Sequence, residues 1–170
     1  VYLTEMTAAR DGAEQAIEAA EQVGHRRAEM VARLTAARVQ LIIGEVEAAE
    51  ANAERGLDLA NYLGANRFVP FLTIHLAQAR YLRQGYRAEG VAMLGGALEI
   101  ARETGIGFLG PWVLGTLALV ADDIALSRAA LAEGEQLLAG DCVGHNYFAF
   151  YPRAIEVALR DRDWNAAERY

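Results

Sequence analysis

Three stretches of this sequence carry residue types in patterns that chemistry could use. Gly105-Ile-Gly-Phe-Leu-Gly110 fits G-x-G-x-x-G, the turn whose backbone N–H groups cradle a pyrophosphate. Asp141-Cys-Val-Gly-His-Asn-Tyr-Phe-Ala-Phe-Tyr151 packs the sole cysteine, a histidine and four aromatics into one segment, and Cys142 beside His145 could in principle form a thiolate–imidazole pair. Asp161-x-Asp163-x-Asn165 copies the opening ligand positions of a calcium loop.

Each pattern fails a test of context. A dinucleotide turn needs a strand before the glycines, whereas Glu89–Thr104 is alanine-rich and helical in period. In a helical frame Gly105 instead ends one helix with φ above zero, and Pro111 opens the first turn of the next. Cys142 and His145 stand at a hairpin entry with no third group to orient them. The calcium loop has Ala166 where its glycine belongs, so Asp163 reads as the cap of a last helix. His25, His75 and His145 lack partners at zinc-ligand spacing. His75 sits mid-helix, where a structural role is the expectation. Carboxylate pairs such as Asp122-Asp123, Glu45/Glu47 and Glu133/Glu135 do not face each other on a helix and read as solvated faces or caps. No catalytic residue, metal ligand or cofactor site is expected.

The elements that must position these residues are helices. Apolar residues recur at helical spacing nearly throughout, alanine occurs 34 times, and prolines number only 3. Gly24, Gly44, Gly64, Gly85, Gly105, Asp122-Asp123, Gly144 and Asp163 punctuate the pattern roughly every 20 residues. That predicts helices near 5–23, 25–43, 45–63, 66–84, 86–104, 110–121, 123–139 and 145–161, with another from Trp164.

Taken in pairs, the helices repeat at about 40 residues. A shift of 41 lays Leu57-Asp-Leu-Ala60 on Leu98-Glu-Ile-Ala101, Pro70-Phe71 on Pro111-Trp112, and Leu76-Ala77 on Leu117-Ala118. A hairpin cannot bury its apolar faces alone, so this period predicts one all-α domain over residues 1–170. Its expected form is a right-handed α-solenoid of about four stacked hairpins, tetratricopeptide-like but with longer units. Gly56, Gly90, Gly95, Gly96, Gly115 and Gly134 fall inside helices, each costing about 0.5–1 kcal/mol against alanine. Several should therefore mark tight helix crossings. Both ends, Val1-Tyr-Leu-Thr-Glu5 and Trp164–Tyr170, read as the inside of a longer polypeptide.

Charge narrows the partners. The net charge is −7, all 16 bases are arginine, and they lie singly or in pairs. Nucleic acid, which draws on clustered positive charge, is not expected. No apolar run reaches membrane-spanning length, and a lone cysteine suits a reducing compartment, so a cytoplasmic protein without a membrane partner is expected.

The second half resembles a known family. Phe108–Gly115, Ala130–Glu135, Cys142–Tyr151, Ala154–Leu159 and Asp163–Arg169 are similar to the C-terminal repeat region of large bacterial adenylate/guanylate cyclases. In those proteins a class III cyclase domain precedes an AAA-type ATPase module and tetratricopeptide-like repeats. Ile124 departs from the pattern, which favours proline after Asp122-Asp123. The resemblance implies a regulatory part of a cyclic-nucleotide signalling protein and carries no catalytic residue over to this chain.

Two functions follow as expectations. One is a non-catalytic interaction scaffold that binds a protein or peptide segment, such as the ATPase module of the same polypeptide, with a homodimer also allowed. The other is a small-molecule sensor like the repeat domains of ATP-dependent transcription regulators, with a groove near Tyr62, Phe68, Trp112, Tyr147 and Tyr151. The expected groove or partner-binding residues are His75, Trp112, His145, Asn146, Tyr147 and Tyr151.

Overall fold

A computed structural model describes residues 2–83 and 87–170. Its described residues are all-α, without a strand. The helices are α1 (Tyr2–Gln22), α2 (Arg26–Ile43), α3 (Val46–Tyr62), α4 (Val69–Arg83), α5 (Arg87–Thr104), α6 (Ile106–Val120), α7 (Ile124–Leu138), α8 (His145–Arg160) and α9 (Trp164–Arg169), and a 3-10 turn, Asn66–Phe68, leads into α4. No described helix is long and apolar enough to cross a membrane.

The breaks follow from local chemistry. Gly24, Gly44, Gly64 and Gly105 all take positive φ, from +61° to +114°, where a side chain would strain the backbone. Gly44 caps α2 in the left-handed conformation, its N–H bonding the Gln40 carbonyl. Asp123 and Asp163 cap α7 and α9, accepting hydrogen bonds from Ala125 and Leu126, and from Ala166. The expected cap role of Asp163 is thus met. Gly144 behaves otherwise, with an ordinary right-handed φ of −54° before α8. Gly85, also expected to mark a break, lies outside the described residues.

One boundary differs. α6 begins at Ile106, not at residue 110, so Pro111 stands inside the helix rather than in its first turn. The three prolines, Pro70, Pro111 and Pro152, are spaced 41 apart and fall in α4, α6 and α8. Pro111 and Pro152 are interior and each removes the N–H that would bind the carbonyl four residues back, whereas Pro70 lies in the first turn of α4, where that N–H has no partner within the helix.

The chain divides into two compact units, Val1–Gln84 and Gly85–Tyr170. In the first, α2 packs between α1 and α3, and α3 packs on α4. Ala13, Ile17, Ala32 and Ala36 form a small-residue contact, and Met30, Leu59, Ala60, Ala65 and Leu72 form the main core, edged by Phe68 and Val69. Gly56 of α3 meets the end of Leu72, whose Cδ2 lies 2.6 Å from where a Cβ would stand.

In the second unit α6 is central. It has no charged residue, is buried from Leu109 to Val120, and packs against α5, α7 and α8. A helix apolar on every side has to be surrounded. Its glycines set the approach of its neighbours. A Cβ on Gly110 would lie 2.6 Å from Ile106 and 3.2 Å from Leu137, and one on Gly115 would lie 3.2 Å from the Phe150 ring. Gly134 of α7 approaches the same Cδ2–Cε2 edge of that ring more closely still. Phe150, fully buried, is therefore wedged between two helices that have no side chain at the contact.

Gly56, Gly115 and Gly134 are thus the tight crossings expected of helix-interior glycines. Gly95 and Gly96 are not, because no described atom comes within 4 Å of a Cβ there. Gly95→Ala should accordingly raise stability by about 0.5–1 kcal/mol through helix propensity alone, measured as a shift in urea midpoint.

Candidate functional site

Of the six expected site residues, Trp112, His145 and Asn146 come together where the α7–α8 loop and the start of α8 close on the α5–α6 corner, while Tyr147 and Tyr151 pair with each other along α8. The sixth is His75. It lies in α4 of the first unit and is buried there.

Of the three glycines Gly105 is the corner, and Gly107 and Gly110 lie in the first turns of α6. Gly105 turns the chain with φ +114°. Gly107 lies so close to the α7–α8 loop that a Cβ would stand 2.6 Å from the Asp141 carbonyl oxygen. Pro111, lacking an N–H, leaves the Gly107 carbonyl without its usual partner in the helix. The loop supplies replacements: the Val143 N–H donates to that oxygen at 3.1 Å and the Asn146 side-chain amide at 3.0 Å. The amide nitrogen of Asn146 also reaches the carbonyls of Phe108 (3.1 Å) and Val143 (3.2 Å).

Asn146 is wholly buried, and its amide donates both across the corner and to the loop that enters its own helix. Asn146→Ala should cost about 1–3 kcal/mol, since buried carbonyls lose their donor. Asn146→Asp should cost more at neutral pH, because a carboxylate would face carbonyl oxygens. Urea melts should show the difference between the two variants narrowing in acid, where a protonated Asp donates again.

The aromatics around this clasp pack on one another. His145 stands edge-on to Phe108 at 5.4 Å and 6.0 Å from Trp112, which is buried in α6. The guanidinium of Arg153 lies 5.8 Å from the Trp112 ring and donates to the Ala149 carbonyl. Tyr147 gives its hydroxyl hydrogen to Leu138 O at 2.7 Å, and its ring lies 6.2 Å from Tyr151, which in turn meets Tyr170 of α9. Of the four aromatics in this segment only Phe150 is buried; Tyr151 is half-buried, Tyr147 is exposed and Phe148 is 84% exposed. Tyr62 is exposed and Phe68 edges the core, both within the first unit.

Cys142 is half-buried and its thiol donates to the Leu137 carbonyl at 3.0 Å. Burial, reinforced by the charge of Asp141, pushes its pKa up. A reactive cysteine needs the opposite shift. Among the described residues no three His, Cys, Asp or Glu side chains are grouped to hold a metal. No protein-family model, curated protein or solved structure matches this chain.

Other polar residues in this unit escape sequence reading. Arg160 of α8 donates to the Leu119 and Ala121 carbonyls at the end of α6, and to Ser127, which itself bonds Ala118 O at 2.8 Å. A cation there satisfies carbonyls that the helix end leaves open. Nothing in the one-dimensional pattern pairs Arg160 with residues some forty positions earlier. Between α7, α8 and α9 lies a cavity of about 250 Å³, lined by Arg128, Glu135, Asp161, Arg169 and Tyr170 among others. Burial, with the Glu135 carboxylate beside it, raises the Tyr170 phenol, so that side chain stays neutral.

Proposed function

We propose that this chain is a non-catalytic interaction and regulatory scaffold, the C-terminal repeat part of a multidomain adenylate/guanylate cyclase in cyclic-nucleotide signalling. In this reading the hairpins form a right-handed, tetratricopeptide-like α-solenoid of about 40 residues per repeat, and its partner is a protein segment, the ATPase module of the same polypeptide first of all. The observation that carries the reading is the recurrence of a proline-bearing helix at a spacing of 41 residues, in α4, α6 and α8.

The clasp supports scaffold over sensor. Asn146 donates to the Gly107 and Phe108 carbonyls of α6 and Tyr147 gives its hydroxyl hydrogen to the Leu138 carbonyl of α7, so both spend these polar groups on neighbouring helices. Titration calorimetry of an isolated ATPase module from such a cyclase against this chain tests the proposal. Saturable binding is expected; no association in either direction overturns it. A metabolite that raises the melting temperature in a thermal-shift screen would favour the sensor.

A further inference from the structure

The face that α6 presents to the α7–α8 hairpin has a counterpart on α8. On α6 it is the line Gly107, Pro111, Leu114 and Ala118, spaced four, three and four residues apart along one side of the helix. Gly107 touches the α7–α8 loop, while Pro111, Leu114 and Ala118 are buried. Gly110 and Gly115 flank this line, one against α7 and the other against α8. Shifting by 41 lands on Phe148, Pro152, Ile155 and Leu159. These residues are as apolar as their counterparts, yet Phe148 is 84% and Leu159 48% exposed, Pro152 is exposed and Ile155 half-buried.

The flanking positions say which neighbour each side expects. Tyr151 stands where Gly110 does, on the side that faces the first helix of a hairpin, and it already meets Tyr170 of α9. α9 starts behind an aspartate cap as α7 does, and pairs with α7 through Arg169 and Glu135. Glu156 stands where Gly115 does, on the side that faces the second helix, and is exposed.

We infer that the Phe148–Leu159 face of α8 is a docking surface for an amphipathic helix, the second helix of a hairpin that α9 opens, seated as α8 is seated on α6. This inference rests on the repeat reading above. The occupant offers an apolar stripe to Phe148, Pro152, Ile155 and Leu159, and a basic side chain to Glu156. A long apolar stripe left in water is a marker of such contacts.

The test extends the chain in register. Because Tyr170 corresponds to Ala129, a copy of residues 130–160 is appended after Tyr170, with Phe150→Arg in the copy to face Glu156. The extended chain should be monomeric and melt on the order of 5 °C or more higher, as added repeat interfaces stabilise their neighbours. Its amides over 148–159 should exchange more slowly. Phe148→Glu with Leu159→Glu should abolish both gains while leaving the melt of the unextended chain unchanged. No gain, or a gain that survives these substitutions, overturns the inference. Sedimentation of the unextended chain as a dimer that the same two substitutions disperse also overturns it, making a second copy the occupant. Binding of the ATPase module is a separate measurement, so the surface stands or falls independently of that partner.

Discussion

Phe150→Ala is expected to destabilise the second unit by about 3–5 kcal/mol, the range for emptying a large aromatic site in a packed core. The ring is fully buried and lies against Gly115 of α6 and Gly134 of α7, neither of which has a side chain to fall into the space. The cavity therefore stays open unless the three helices move. The reverse change reads the same wedge from its other side. Gly134→Ala would place a methyl group inside the ring's volume, and a fully buried ring can yield only by displacing its neighbours. Gly134→Ala should cost well over the 0.5–1 kcal/mol that alanine would otherwise add to an exposed helix. Combining it with Phe150→Leu should recover part of the loss, so the two effects should be strongly non-additive in urea melts. Additive losses would show that ring and glycine do not share one space.

How much of this was legible beforehand depends on whether the signal is local. The helix breaks were, because a glycine forced to positive φ or an aspartate capping an N-terminus acts within four residues of itself. Gly24, Gly44, Gly64, Gly105, Asp123 and Asp163 all do so. The turn at Gly105 was legible for the same reason, though the contact of Gly107 with Asp141 joins the first turn of α6 to a loop far off in sequence. Faces were harder. Phe148 and Phe150 are aromatic neighbours two apart on α8, pointing to different sides. Only the positions of Gly115 and Gly134 decide that Phe150 goes in and Phe148 stays out. Which helix-interior glycines mark crossings meets the same limit, since propensity reports the cost of a glycine but not what stands opposite it: Gly56, Gly115 and Gly134 do, Gly95 and Gly96 do not. His75 was grouped with Trp112 and His145 by residue type, and its place in another unit could not be read from type.

The buried carboxylate of the first unit was invisible for a further reason: a glutamate in the first turn of a helix ordinarily faces water. Glu29 is 1% exposed. It accepts from Arg33 at 3.0 Å and Arg26 at 3.1 Å, with Arg55 at 3.6 Å. Arg33 goes on to Asn52 (2.9 Å) and Glu21 (2.5 Å), and Asn52 to the buried Gln40 (3.0 Å), so one polar chain ties α1, α2 and α3. Glu29→Ala should cost about 3 kcal/mol, the lower end for breaking a buried pair, because Arg33 keeps its other two partners. The pH dependence has a definite sign. Burial alone would raise the carboxyl, but hydrogen bonds from Arg33 and Arg26, with the charges of Arg33 and Arg55, outweigh it and hold it below its ordinary 4.5. A carboxyl depressed in the folded state binds its proton more readily when unfolded. Its contribution is complete above the ordinary value and disappears as the pH falls through the folded one. Wild type should therefore lose stability faster than Glu29→Gln on acidification below about pH 5, a range set by the usual carboxylate values. Parallel pH profiles of the two proteins, measured by denaturant midpoint, would show that Glu29 is not the charge this network is built around.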